Sequence, residues 1–226
     1  GLKGRVVRKR LDRICLDPKK AQDKLFKDYV LKQANTDYGK DHGFDKIHSI
    51  EDYQRLVPLC EYAPYLDYVE GSITNHKTKN VLTKEKIIFY DFTSGTSGKS
   101  KHIPLTKRSV SIFSDYVTSL TWREVVRVLS KDYKKAKFFS LLSAGTKKLE
   151  NGVPEGGLSS FIFEKAIKMK SIADLFSSPE EAVKADINTN VRFLHALYAL
   201  KERNIAFLTA AFSSYIAELF RYTQDN

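Results

Sequence analysis

Three short apolar runs punctuate this chain, at Ile87 to Phe92, Phe138 to Leu142 and Asn204 to Thr209, with helically spaced segments between them. Runs of that length bounded by turn residues read as strands, and strands alternating with helices define an α/β fold. This alternation limits the architecture more than any other feature. With 226 residues, 42% of them hydrophobic, the chain is long enough to bury a sizeable core. No internal repeat, low-complexity tract or linker interrupts it, so residues 1–226 read as a single α/β domain.

The helical segments carry their own start and stop signals. Leu2, Val6, Val7, Leu11 and Ile14 form one apolar stripe on a basic first helix. Asp17-Pro18 gives an N-cap and a first-turn proline to a second helix, expected to reach about Asn35 with Leu25, Phe26, Tyr29 and Val30 facing inward. Ser49-Ile-Glu-Asp opens a short helix in capping-box form, and Pro58 ends it. Glu61 to Thr83 shows no clear period and reads as turn-rich. Ser109 to Leu129, with Phe113, Tyr116, Val117 and Leu120 on one side, predicts an amphipathic helix. Ser143 to Ser160 reads as a long glycine-rich loop. Ser178-Pro179-Glu180-Glu181 predicts a capped helix carrying Val183, Ile187, Val191 and Leu194, and Ala210 to Tyr222 predicts a last one.

The formal charge of +11 has two readings, a solvated lysine-rich surface or the footprint of a polyanion partner. Nucleic-acid binding needs basic residues gathered on one face, and no zinc pattern, RNP motif or interleaved stacking aromatics accompanies the lysines. Cys15 and Cys60 stand alone and build no disulfide framework, which points to a reducing cytoplasm. No segment has the apolar length of a membrane span.

The first strand delivers the stretch YDFTSGTSGKSKHIPLT, Tyr90 to Thr106. Gly95 and Gly98 allow a backbone to approach a ligand closely. The hydroxyls of Thr93, Ser94, Thr96 and Ser97 and the local N–H groups can donate to phosphate oxygens, and Lys99 or Lys101 can offset their charge. An exposed turn of the same composition is the plain alternative. A Walker A loop is excluded, because it would need glycine where Thr93 stands and would run into a helix, whereas His102-Ile-Pro-Leu is extended.

In order and spacing, Thr93-Ser94-Gly95-Thr96-Ser97-Gly98-x-x-Lys101 followed by Ile103-Pro104-Leu105-Thr106 resembles the phosphate-binding signature of adenylate-forming enzymes. It is most similar to that of the auxin-responsive Gretchen-Hagen acyl-acid amido synthetase family and its bacterial relatives. The likeness continues upstream through the Tyr-Gly, Gly-Phe, Ser-x-x-Asp-Tyr and Val-Pro pattern of Asn35 to Glu70. Downstream it continues through Asn151-Gly-Val-Pro, Gly157-Leu-Ser-Ser and LTAAFSSYIAEL. Two departures stand out. Ser100 occupies a position that is commonly proline, and the chain stops at Asn226, before the segments that hold adenine and ribose and before the family's small C-terminal domain.

The resemblance implies an incomplete N-terminal adenylation domain over 1–226 and a chemistry that uses ATP and Mg²⁺. A small carboxylic acid becomes an acyl-adenylate, and an amine or amino acid captures the acyl group as an amide. It assigns ATP phosphate binding to Thr93, Ser94, Gly95, Thr96, Ser97, Gly98 and Lys101. It places Phe212 and Ser214 near the acid, where ordinary helix packing is an equal alternative. No general base is required. His42, His48, His76, His102 and His195 lack metal-ligand spacing and read as surface or packing residues, with His102 singled out because it adjoins Lys101. Glu180 and Glu181 are explained by the dipole of a helix first turn. A non-catalytic polyanion-binding domain and a truncated, inactive family remnant are the competing readings.

Overall fold

The computed structural model describes residues 2–92, 100–128, 136–142, 145–185 and 190–225. The chain folds as two compact units, residues 1–120 with 147–155 and residues 121–146 with 156–226. Among the described residues the strands are β1 (Ile87–Phe92), β2 (His102–Thr106), β3 (Lys137–Leu141), β4 (Thr146–Lys148), β5 (Pro154–Gly156) and β6 (Ile205–Ala210). They make a four-stranded sheet in the order β2-β1-β5-β4 and a two-stranded sheet of β3 and β6. Groups of helices alternate with strands along the chain, which gives the α/β fold that the sequence predicts.

In the first unit, α1 (Leu2–Leu16) and α2 (Pro18–Tyr29) meet at Asp17, whose side chain accepts the Lys20 N–H at 3.0 Å. Only part of the α1 stripe is used: Val7 is buried, whereas Leu2 and Val6 remain exposed. The second helix ends at Tyr29 rather than near Asn35, and Leu31–Gln33 continues as a 3₁₀ turn. Phe26 and Val30 pack inward as expected, but Leu25 and Tyr29 lie on the exposed side. Arg108 covers the Tyr29 ring at 4.6 Å and donates to Asp28 at 2.7 Å. Hydrogen bonds from Lys32 and Arg108 hold the Asp28 carboxyl well below the usual carboxylate range.

The Tyr-Gly and Ser-x-x-Asp signatures have local physical causes. In α3 (Asp37–Asp41), capped by Thr36, Gly39 lies against the Gln33 backbone. A Cβ there would sit 2.2 Å from the Gln33 carbonyl oxygen, so only glycine fits. Ser49 and Asp52 form the expected capping box at the start of α4 (Ile50–Leu56), which ends before Pro58. Tyr38, Phe44, Ile47 and Val57 close the core beneath these helices.

Between Glu61 and Thr83 the structure departs from the turn-rich expectation. Residues Ala63–Thr74 form α5, with Pro64 in the first turn, where its missing N–H costs nothing. The buried face of α5 is Val69, Ser72 and Ile73, and Val69 and Ile73 pack with Ile87 and Tyr90 of the sheet and with Val153 just before β5. The Ser143 to Ser160 stretch is likewise not all loop, since β4 and β5 extend the sheet. Gly152 has φ +76°, which lets the turn between β4 and β5 close. Strand β2 is followed by α6 (Lys107–Ile112), a π-helical stretch (Phe113–Ser119) and α7 (Leu120–Val128), so the predicted amphipathic helix is not a uniform α-helix.

In the second unit, parallel β3 and β6 set Phe138 opposite Phe207 and Phe139 opposite Leu208. Successive side chains of β3 take opposite faces. Phe138 meets Trp122, Phe176 and Phe207, while Phe139 packs with Ala196 and Leu219 and against the edge of His195. Helices α8 (Leu158–Ile167), α9 (Lys170–Ala173), α10 (Glu180–Val183), α11 (Val191–Lys201) and α12 (Ser213–Asp225) complete the unit. The single helix expected from Ser178 through Leu194 is two. Asn190 caps α11 by accepting the Phe193 N–H at 3.0 Å, and Ile187 lies outside the described residues. Ser178 is no cap either. Its Oγ lies 2.7 Å from Nδ1 of the fully buried His195. Among the described residues, no helix is long and apolar enough to cross a membrane.

Candidate functional site

Strands β1 and β2 pair antiparallel, with Phe92 opposite His102 and Asp91 opposite Ile103. Residues 93–101 therefore connect the two strands of one hairpin. Thr93, Ser94, Gly95, Thr96, Ser97 and Gly98, the residues expected to grip phosphate, lie outside the described residues, but both ends of their segment are fixed. The chain returns from it as a strand and not as a helix, which agrees with the exclusion of a Walker loop. Pro104 is tolerated because β2 is the edge strand of its sheet.

Lys101, the one proposed phosphate ligand among the described residues, has its Nζ 5.4 Å from the centre of the Tyr62 ring. That distance is within cation–π range. The Tyr62 hydroxyl in turn donates to the His102 carbonyl at 2.8 Å. Tyr62 stands at the start of α5, so helix and strand are tied together at the foot of the hairpin.

His102 is the centre of a charged relay. Its Nδ1 lies 2.8 Å from Glu70 Oε1 on α5, and its Nε2 lies 2.7 Å from Glu155 Oε2 on β5. The other Glu155 oxygen takes the Lys147 ammonium at 2.8 Å. Both ring nitrogens face carboxylate acceptors, and an imidazole donates from both only when it is protonated. Burial opposes charge on His102, yet the hydrogen bonds to Glu70 and Glu155 outweigh it and raise the pKa above the ordinary histidine value. Burial likewise opposes charge on Glu155, which is only 5% exposed, but Lys147 and His102 prevail and lower its pKa. The relay thus joins α5, β2, β5 and β4 with alternating charges.

Directly behind it is a neutral polar knot. The Tyr90 hydroxyl, fully buried, lies 2.6 Å from Ser72 Oγ and accepts from Asn151 Nδ2 at 3.3 Å. Asn151 also donates to the Ser72 carbonyl at 3.3 Å and accepts the Val153 N–H at 3.0 Å. The Asn-Gly-Val-Pro motif is therefore a structural tie between the β4–β5 turn, α5 and the strand that leads to the loop.

Phe212 and Ser214, the expected acid-side residues, belong to the second unit. Both are exposed at the start of α12, and the Phe212 ring meets Tyr215 edge-on at 5.3 Å. Of the remaining histidines, His195 is a core residue kept neutral by burial, which lowers its pKa. His42 stacks on Tyr38 at 3.9 Å. Among the described residues no group of three or more acidic, histidine or cysteine side chains could hold a metal ion. The relay partners Glu70 and Glu155 carry no sequence signal of their own, because one sits in a helix without clear period and the other in a glycine-rich stretch.

The hairpin and the α/β frame that holds it agree with the α/β N-terminal domain that the sequence resemblance implies. The chain belongs to the GH3 family: the model of the GH3 family N-terminal domain matches residues 7–226. Among solved structures, the chain is similar to a GH3.15 acyl acid amido synthetase, with a TM-score of 0.79 and 21% identity over 96% of this chain and 38% of that one. It is similar also to the structure described as AtGH3.15 acyl acid amido synthetase in complex with 2,4-DB, with a TM-score of 0.78 and 20% identity over 98% of this chain and 38% of that one. At such identities the likeness is one of fold. The chain spans 38% of the length of these solved relatives. A sequence search of curated proteins finds no match.

Proposed function

We propose that the protein containing this chain is an acyl-acid amido synthetase that activates a small carboxylic acid with Mg·ATP and transfers the acyl group to an amine or amino acid. The acid's oxygen attacks the α-phosphorus, the bond to pyrophosphate breaks, and the amine nitrogen then displaces AMP from the acyl carbon. A carboxylate is a poor acyl donor because oxide is a poor leaving group. Exchanging oxide for AMP removes that obstacle.

In this reading the connection between β1 and β2 holds the β- and γ-phosphates. Thr93, Ser94, Thr96, Ser97 and the backbone at Gly95 and Gly98 donate to them, and Lys101 offsets the charge that grows on departing pyrophosphate. That contribution is positioning and electrostatic stabilisation, so no side chain has to move a proton. Mg²⁺ enters as the counter-ion of the nucleotide. Phe212 and Ser214 are the residues proposed to face the acid.

The observation that carries the proposal is the antiparallel pairing of Phe92 with His102 in a GH3-family chain, because a stretch joining two paired strands, rather than a strand and a helix, is what the resemblance asks of Thr93 to Lys101. Supplying the intact protein with ATP, a panel of carboxylic acids and amino acids, and following AMP release and amide formation by mass spectrometry tests it. Acid- and amine-dependent amide with one AMP per product is expected. ATP hydrolysis without acid dependence, or no turnover with any acid, counts against it.

A further inference from the structure

The relay around His102 has a consequence beyond holding strands together. His102 is peptide-bonded to Lys101 and paired across the hairpin with Phe92, so it sits at the closure of the connection assigned to phosphate binding. Two carboxylates contact its ring nitrogens directly. Glu70 faces it from α5, Glu155 from β5 and, through Glu155, Lys147 from β4. The Tyr90 ring of β1 meets it edge-on at 6.0 Å, and Tyr62 binds its carbonyl.

We propose that His102 is a positioning residue for the phosphate-binding hairpin, and that its protonation and the binding of polyphosphate favour one another. The inference rests on the proposed function of the same hairpin. Two physical effects act in one direction. As an imidazolium, His102 donates to both Glu70 and Glu155 and pins the first residue of β2 to α5 and β5. As a neutral ring it can donate to only one of them. Deprotonation also leaves two carboxylates with one fewer cation beside a segment that must receive a highly negative ligand, so the local field turns against binding. Glu155 keeps Lys147, whereas Glu70, on the more exposed side of the ring, loses its charged partner in the relay.

Linkage requires reciprocity: if protonated His102 favours polyphosphate, polyphosphate must make His102 harder to deprotonate. Magnesium pyrophosphate is the probe. Its affinity for the intact protein is measured by calorimetry from pH 6 to 9, and the imidazole resonances are titrated by NMR with and without it. The H102Q spectrum assigns the His102 signal, and His42, His48, His76 and His195 serve as internal references. We expect pyrophosphate to bind on the order of fivefold or more tightly when His102 is protonated, and the His102 midpoint alone to rise on adding the ligand. H102Q should bind weakly and without that pH dependence.

E70Q removes one carboxylate from the half-exposed side of the ring and should move the affinity drop to lower pH, an effect that a purely structural role would not produce. An unmoved His102 midpoint on adding pyrophosphate, or an unshifted pH profile in E70Q, overturns the inference. T96A and S97A separate it from the underlying proposal. If they lose pyrophosphate binding while H102Q keeps both affinity and pH dependence, the hairpin assignment stands and the His102 inference fails. If T96A and S97A bind as well as wild type, the hairpin assignment itself fails.

Discussion

The polar knot behind the hairpin allows a quantitative test of how this fold is held. Ser72 Oγ has one proton and two partners, the Val69 carbonyl at 2.6 Å and the Tyr90 hydroxyl at 2.6 Å. If the serine proton goes to the carbonyl, which can only accept, the Tyr90 proton must go to Ser72 Oγ, and the phenol accepts from Asn151. S72A then leaves a fully buried phenol O–H with no acceptor, and such an orphaned donor costs about 1–3 kcal/mol. Y90F removes a donor from a serine that keeps the Val69 bond, and Asn151 keeps its bond to the Ser72 carbonyl, so no group is left wholly unpaired. Its cost is that of an ordinary hydrogen bond, about 0.5–1.5 kcal/mol. The double variant S72A/Y90F has no stranded phenol and should be at least about 0.5 kcal/mol more stable than the sum of the two losses predicts. Urea unfolding at constant m-value reports all three. Additive losses, or Y90F costing more than S72A, would refute the proton assignment and with it the description of the knot.

Three further predictions follow from the site and its frame. The relay should make stability depend on pH in both directions. Glu155, with a lowered folded pKa, contributes fully above its unfolded value near 4.5 and loses that contribution as pH falls through the folded value. His102, with a raised one, contributes fully below about 6.5 and loses it as pH rises through its folded value. The difference in melting temperature between wild type and H102Q, in which the depressed His195 cancels, should therefore be largest between roughly pH 4.5 and 6.5. A difference that is flat with pH counts against the relay. G39A should destabilise by about 1–3 kcal/mol, the usual cost of overpacking, because the new Cβ meets backbone that cannot swing aside; equilibrium unfolding that matches wild type contradicts the close approach. Trp122, the chain's one tryptophan, packs among Phe138, Phe176 and Phe207, so its fluorescence should track unfolding of the second unit, and F138A should red-shift its emission.

Much of this was legible in the residues, for reasons that differ from element to element. The strands β1, β3 and β6 are compact apolar runs, and nothing in their surroundings competes with that signal. Asp17-Pro18 and Ser49 with Asp52 announce helix starts because the cap chemistry is local. Helix α5 was hidden because Tyr65, Tyr68, Val69, Ile73 and Gly71 blur its propensity, and tertiary packing on the sheet overrides it. The short strands β4 and β5 were hidden because a few residues flanked by glycines have no period to read. They exist by pairing with a sheet that the local sequence does not reveal.

The site divides in the same way. Lys101 and its neighbours were legible as an ordered motif. His102 drew notice only through sequence adjacency, and Glu70 and Glu155, far from it in the chain, were brought to it by the fold. Ser178 looked like a helix cap but turned inward to the buried His195, a choice that depends on which donor or acceptor the core leaves open.

The role proposed for the Thr93 to Lys101 connection, pyrophosphate chemistry in an acid-activating enzyme, is open to direct measurement. Carboxylate-dependent exchange of labelled pyrophosphate into ATP, measured on the intact protein for wild type, T96A and S97A side by side, tests it most directly. If Thr96 and Ser97 each donate to a phosphate oxygen as proposed, losing one hydroxyl removes a hydrogen bond to a charged group, about 1.5–3 kcal/mol, so each variant should exchange about one to two orders of magnitude more slowly while melting as wild type does. Wild-type exchange rates in both variants, or exchange that does not depend on a carboxylic acid, would contradict the account.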